Sequence, residues 1–192
     1  MIMKKLKNRK IAVIISVAVI IVSVLIGVNK SVYAQIKKLN DSFENGVYIS
    51  SEDYTQPGIG RQLAKRTDAA LGLVTLASEF GDMAQEQSDL RSAREALMSA
   101  GTIQEKFLCN EALEEAYKHI VLAFSYETLD EKQQNAYDSY TSTMDGAQSL
   151  ITSSSYNRTV AEFENEVLNA FPVNILHFNF ITGTPEYFRA EG

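Results

Sequence analysis

Residues 11–28 read IAVIISVAVIIVSVLIGV, and this stretch decides the architecture of the chain. The run carries no charge, and only Ser16, Ser23 and Gly27 interrupt its aliphatic character. As a helix it spans about 27 Å at 1.5 Å per residue, close to the hydrocarbon thickness of a bilayer. A core helix of a soluble domain is apolar along one stripe, not all round for five turns. In lipid, a helix is the single segment that satisfies its own backbone hydrogen bonds. The run therefore predicts a transmembrane helix, with the lipid bilayer as the partner of residues 11–28.

The flanks give an orientation. Residues 1–10, MIMKKLKNRK, hold Lys4, Lys5, Lys7, Arg9 and Lys10, whereas only Lys30, Lys37 and Lys38 follow closely. The excess predicts a cytoplasmic N-terminus and an extracytoplasmic body. A cleaved signal peptide is the competing reading, because Val32-Tyr33-Ala34 places small residues before Gln35. Cleavable apolar regions run to about 15 residues, so the length of this one favours a retained anchor. With no cysteine near the span, it is not a lipoprotein signal.

Charge divides the chain at the same place. Of eighteen Lys and Arg, eight lie in residues 1–40, where there is no acid; all twenty-four Asp and Glu follow. The net charge of −6 is thus a basic N-terminal piece joined to an acidic body. Phosphate contacts need clustered Lys and Arg, so nucleic acid is not an expected partner.

Beyond the span the pattern is helical. Val32, Ile36, Leu39 and Phe43 continue an apolar stripe into residues 29–45. Residues 46–58, GVYISSEDYTQPG, read as a loop punctuated by Gly46, Pro57 and Gly58. A long helix is expected over 59–99, with Ile59, Leu63, Ala70, Leu73, Ala77, Phe80 and Ala84 at steps of three, four and, from Leu63 to Ala70, seven. Gly72 and Gly81 weaken it, allowing close helix approach or a bend. Thr102 to Glu105 matches a capping box and opens a helix over 103–125. A second box at Thr128 to Glu131 opens one running to about 170, with a bend expected at Thr152 to Ser155. Pro172 disfavours helix at Phe171 and ends it there. The elements add up to an all-α chain, an N-terminal transmembrane helix followed by a long antiparallel helical bundle. By residue, 1–10 is a basic cytoplasmic segment, 11–28 the span, 29–58 a stalk and loop, and 59–171 the bundle. The apolar, aromatic tail 172–192 is expected to pack on that bundle.

The residues for familiar chemistry are sparse. His119 and His177 belong to no HxxxH or Glu-x-x-His pair, and Cys109 is the only cysteine, so no metal site is expected. Cys109 reads as a small core residue. Gly58-Ile59-Gly60 lacks both the third glycine and the preceding strand of a dinucleotide fingerprint. The serine-rich stretch Thr152 to Ser155 lacks the G-x-S-x-G context of a hydrolase nucleophile. No catalytic residue and no cofactor is therefore expected. Arg61, Lys65 and Arg66 form the densest basic patch of the body, read as a solvated or ion-paired face, or else a contact for anionic headgroups or a partner. Glu111, Glu114 and Glu115 read as a solvated helix surface.

The end of the last helix is the most specific stretch: Tyr156-Asn157-Arg158-Thr159-Val160-Ala161-Glu162-Phe163, then Phe171-Pro172-Val173-Asn174-Ile175. It resembles the signature of the LemA family, roughly YN-x-x-V-x-x-Y/F-N followed by FP-x-N-I/L, with Glu164 standing at the Asn position after Phe163. Pro185-Glu186-Tyr187-Phe188 is similar to its closing xEYF element, and Gln62 to Asp68 to its QL-x-x-R-x-D segment. Ser92-Ala93-Arg94 also resembles a family element. The chain departs from the pattern in lacking a Trp after the span and a Pro near Ala70 to Leu73. The resemblance implies a single-pass bacterial cell-membrane protein with a helical-bundle body and no established catalytic activity. It marks Arg66, Tyr156, Asn157, Phe171, Pro172, Asn174, Tyr187 and Phe188 as motif or interaction residues. The expected function is a membrane-anchored scaffold or interaction module, with an unidentified membrane or extracytoplasmic protein as partner. A lipid- or ligand-binding extracytoplasmic sensor is the alternative; a hydrolase ranks behind both.

Overall fold

The computed structural model describes residues 9–49, 53–175 and 184–190. Among the described residues it is all-α apart from one short hairpin. Helix α1 (Arg9–Asn45) runs without a break through the apolar segment and beyond it. At 1.5 Å per residue its 37 residues extend about 55 Å. The chain forms two compact units, Met1–Leu39 with Ala161–Pro185, and Asn40–Val160 with Glu186–Gly192.

In the second unit, the stretch expected to be a plain loop pairs into a hairpin. Strand β1 (Val47–Ile49) lies antiparallel to β2 (Tyr54–Gln56), with Tyr48 opposite Thr55. These β-branched and aromatic residues suit a pleated surface, but three per strand is too short a pattern to read from sequence. Gly46 joins α1 to β1 at φ +89°, where a Cβ would lie 2.0 Å from the Gln56 carbonyl oxygen. Only glycine fits this left-handed turn.

The expected single helix over 59–99 is two. Helix α2 (Ile59–Ala77) stops, a 3₁₀ turn (Gly81–Met83) reverses the chain, and α3 (Ala84–Ser99) returns along it. Gln87 Nε2 donates to the Val74 carbonyl and Arg94 Nε to that of Thr67, so the two helices are antiparallel. A straight helix of this length would leave its stripe uncovered, whereas the fold-back buries Leu73, Leu90 and Leu97 together. Gly81 is the site of the reversal. Gly72 instead permits close approach, since a Cβ there would meet the Tyr140 ring at 2.4 Å.

Helix α4 (Ile103–Phe124) begins at the expected box: Thr102 Oγ1 accepts from the Glu105 N–H, and Glu105 caps the Thr102 N–H in return. Helix α5 (Glu131–Thr152) starts two residues after the box expected at Thr128. Its cap is Asp130, whose carboxylate accepts from the Gln133 N–H at 2.8 Å while Gln133 Oε1 accepts from the Asp130 N–H. Two overlapping capping patterns occur here, and the later one is used. Helix α5 packs along α2, and α3 along α4. Tyr117 Oη donates to Asp145 at 3.0 Å, tying α4 to α5. Helices α2 to α5 thus close into an up-and-down antiparallel bundle. Phe80, Phe124 and Tyr137 fill one end.

Ser153 to Ser155 break the helix, and α6 (Tyr156–Phe163) follows. Gln56 Oε1 accepts from Ser155 Oγ at 2.6 Å, so β2 braces the break. A π turn (Glu164–Leu168) ends the helical run. In the first unit, Val32, Ile36 and Leu39 of α1 are buried with Phe163 and Leu168, and Val28, Val167 and Val173 pack against them.

Candidate functional site

Three sets of residues stand out, beginning with a buried polar layer inside the bundle. Ile59, Leu63, Ala70, Leu73 and Ala77 line the core face of α2, and Arg66 occupies the same row. It is fully buried, at 0% exposure. Its Nη1 donates to Asn110 Oδ1 and to Gln148 Oε1, and its Nη2 donates to Glu114 Oε2 at 2.5 Å. Asn110 Nδ2 donates to Gln148 Oε1 at 3.3 Å. One guanidinium therefore joins α2, α4 and α5. Burial lowers the Arg66 pKa below its usual value, and the Glu114 charge opposes that shift. Arginine suits such a position because its planar fork bonds several acceptors and is weakly hydrated for a cation. The expected surface patch is thus divided. Arg61 donates to Asn45 and Lys65 is exposed, but Arg66 and Glu114 are turned inward.

The second set closes the other end of the bundle. The Asn157 side chain accepts from the Phe188 N–H at 2.8 Å and donates to the Phe188 carbonyl at 2.9 Å. Tyr156 Oη donates to the Glu186 carbonyl at 2.8 Å. Glu186 Oε2 in turn accepts from the Ile103 N–H at the start of α4. These bonds seat the buried Phe188 ring 5.3 Å from Phe107 and 5.7 Å from Phe43. Phe43 meets Tyr156 edge-on at 5.2 Å, and Lys106 lies over the Phe43 face while pairing with Glu44. Tyr187 is half-buried, with Arg189 above its ring. Burial raises the Tyr156 phenol pKa, and the Glu186 charge adds to the shift.

The third set is the exposed face of the first unit. Val13, Ile14, Ile15, Val19, Ile20 and Ile26 are 45–67% exposed along α1. This helix is long and apolar enough to cross a membrane.

The motif residues fall into three places. Tyr156, Asn157, Tyr187 and Phe188 come together in the second set, a clasp of α6 on residues 186–188, and Arg66 lies in the polar layer. Phe171, Pro172 and Asn174 belong to the first unit, where all three are exposed. Leu176, His177, Phe178, Phe180 and Ile181 of the tail lie outside the described residues. Sequence reasoning misses Asn110 and Gln148. Asn110 carries a legible signal, being a polar residue on the apolar row that includes Leu113 and Tyr117.

The clasp and the polar layer border one cavity of about 300 Å³, lined by Asn110, Gln148, Asn157, Phe188 and Arg189 among others. A more open groove of about 550 Å³ lies by Asp82, Glu86, His119, Leu122, Tyr126 and Glu127. Cys109 packs against the core. Among the described residues no group of three or more His, Cys, Asp or Glu could hold a metal ion. No protein-family model, curated protein or solved structure matches the chain.

Proposed function

We propose that this chain is a single-pass bacterial membrane protein of the LemA kind, with a cytoplasmic N-terminus and an extracytoplasmic bundle that serves as a scaffold for protein partners. The observation that carries the reading is α1. Its aliphatic side chains between Val13 and Ile26 are exposed, while Phe43 near its other end is 1% exposed in the bundle core. Exposed aliphatic surface of this extent is unfavourable in water, and a bilayer covers it. One continuous helix then supplies both the anchor and a packing element of the body.

The scaffold reading is tested by crosslinking the intact chain in its native membrane and identifying its neighbours by mass spectrometry. A reproducible protein neighbour is expected, and none across growth conditions would sink the reading. A reporter fused after residue 192 checks the orientation, which predicts activity only for a reporter that works outside the cytoplasm.

The 300 Å³ cavity favours a second reading, a sensor for a small polar ligand. Asn110, Gln148 and Asn157 would supply its hydrogen bonds. Native mass spectrometry of the chain purified from its own membranes tests this, and a consistently bare protein argues against it.

A further inference from the structure

The turn after α6 has an apolar surface that the scaffold role leaves unexplained. Asn174 N–H donates to the Ala170 carbonyl and Ile175 N–H to that of Pro172, so residues 170–175 form a hydrogen-bonded turn that passes into helix at 173–175. Val173 faces inward, half-buried against the cluster of Val32, Ile36 and Leu39. Phe171 and Ile175 face outward, at 80% and 60% exposure. Val28, the last residue of the apolar run, packs on that same cluster. Residues 28–39 of a helix span about 16 Å, so the turn is held within a few helical turns of the end of the span. Tyr33, 65% exposed, and the exposed Lys30, Lys37 and Lys38 lie on this part of α1. Aromatic rings with Lys are the composition of a membrane interface, where the ring meets the acyl boundary and the ammonium meets anionic headgroups.

We propose that the Phe171–Ile175 turn is a second membrane contact, an interfacial anchor that dips Phe171 and Ile175 into the headgroup region beside the transmembrane helix. The proposal rests on the membrane-spanning reading of α1. Its occupant is lipid because the turn packs on the residues that directly follow the span, where the exposed Lys30, Lys37 and Lys38 complement anionic headgroups.

The chain has no tryptophan, so one introduced indole reports its own surroundings. The full-length variants Phe171→Trp, Ile175→Trp and Val19→Trp are reconstituted into vesicles of phosphatidylcholine and phosphatidylglycerol. The lipids are brominated either high or low on the acyl chain, and circular dichroism confirms folding of each variant. Indoles at 171 and 175 are expected to emit to the blue and to lose most emission to the shallow bromines, while that at 19 is quenched best by the deep ones. If position 19 is quenched but 171 and 175 emit as in water and are reached by iodide, the interfacial anchor is overturned and the span stands. If position 19 is not quenched either, the membrane-spanning reading fails and takes the anchor with it. Ile175→Trp decides the matter should Phe171→Trp misfold.

Discussion

Asn157 holds Phe188 by both of its backbone polar groups, accepting from the N–H at 2.8 Å and donating to the carbonyl at 2.9 Å. A side-chain amide here does what a neighbouring strand does in a sheet. It fixes an extended segment in register, and the Phe188 ring then fills the end of the core.

Asn157→Ala removes both bonds and should destabilise the bundle by about 1–3 kcal/mol. Asn157→Asp keeps the acceptor but loses the donor, so its stability should fall between that of Asn157→Ala and the parent. Chemical denaturation gives the energies. Hydrogen exchange over residues 184–190 should accelerate in both variants; unchanged exchange would mean the segment is held by its rings alone.

Arg66→Met leaves Glu114, Asn110 and Gln148 oxygens facing one another without their shared donor. Removing one partner of a buried pair costs about 3–5 kcal/mol. Adding Glu114→Leu should restore much of that loss, because Asn110 and Gln148 still reach each other at 3.3 Å. A double-mutant cycle measures the coupling, and additive losses would contradict the network.

Gly72→Ala sets two effects against each other. Alanine gains about 1 kcal/mol of helix propensity, but its methyl meets the Tyr140 ring, and overpacking costs about 1–3 kcal/mol. The net change should be destabilising. In a Tyr140→Ala background the clash is gone, so Gly72→Ala should turn stabilising. Thermal melts of the four proteins check the change of sign.

Tyr117 and Tyr156 have phenol pKa values raised above the usual 10. Burial is the larger cause in each, followed by the Asp145 hydrogen bond for Tyr117 and the Glu186 charge for Tyr156. Above pH 10 the unfolded chain sheds these protons before the folded chain does. The contribution to stability is therefore complete below pH 10 and lost as pH rises toward the folded values. Melting temperature should fall through this range, and Tyr156→Phe should make the fall shallower. An unaltered slope would show that Tyr156 ionises freely.

Much of the bundle can be read from spacing. The row from Ile59 to Ala77 fixes the buried face of α2, and Thr102 with Glu105 fixes the start of α4. The reversal at Ser78 to Met83 is harder, because Phe80 and Ala84 keep the helical phase across it. Periodicity reports which face is apolar and is silent on whether the chain turns back; Gly81 alone marks the break. The hairpin escapes because two strands of three residues leave too little alternation. At the candidate site, a buried charge on an apolar row is legible at Arg66, yet its nearness to Lys65 and Arg61 disguises it as surface. Tyr156 and Asn157 stand out as a pair, but the partner of Asn157 lies 31 residues away at Phe188, a distance no local pattern spans.

The seat of Phe188 also bears on the order of events during synthesis. Phe43, Phe107 and Tyr156 are all made before residue 188 leaves the ribosome, so the aromatic end of the core waits, uncovered, for the last element to arrive. A nascent bundle therefore presents a sticky surface until translation has passed the clasp. Ribosomes stalled before residue 184 should hold a chain that chaperones and proteases recognise, and ribosomes stalled on an added C-terminal linker that carries residue 190 clear of the exit tunnel one that they ignore.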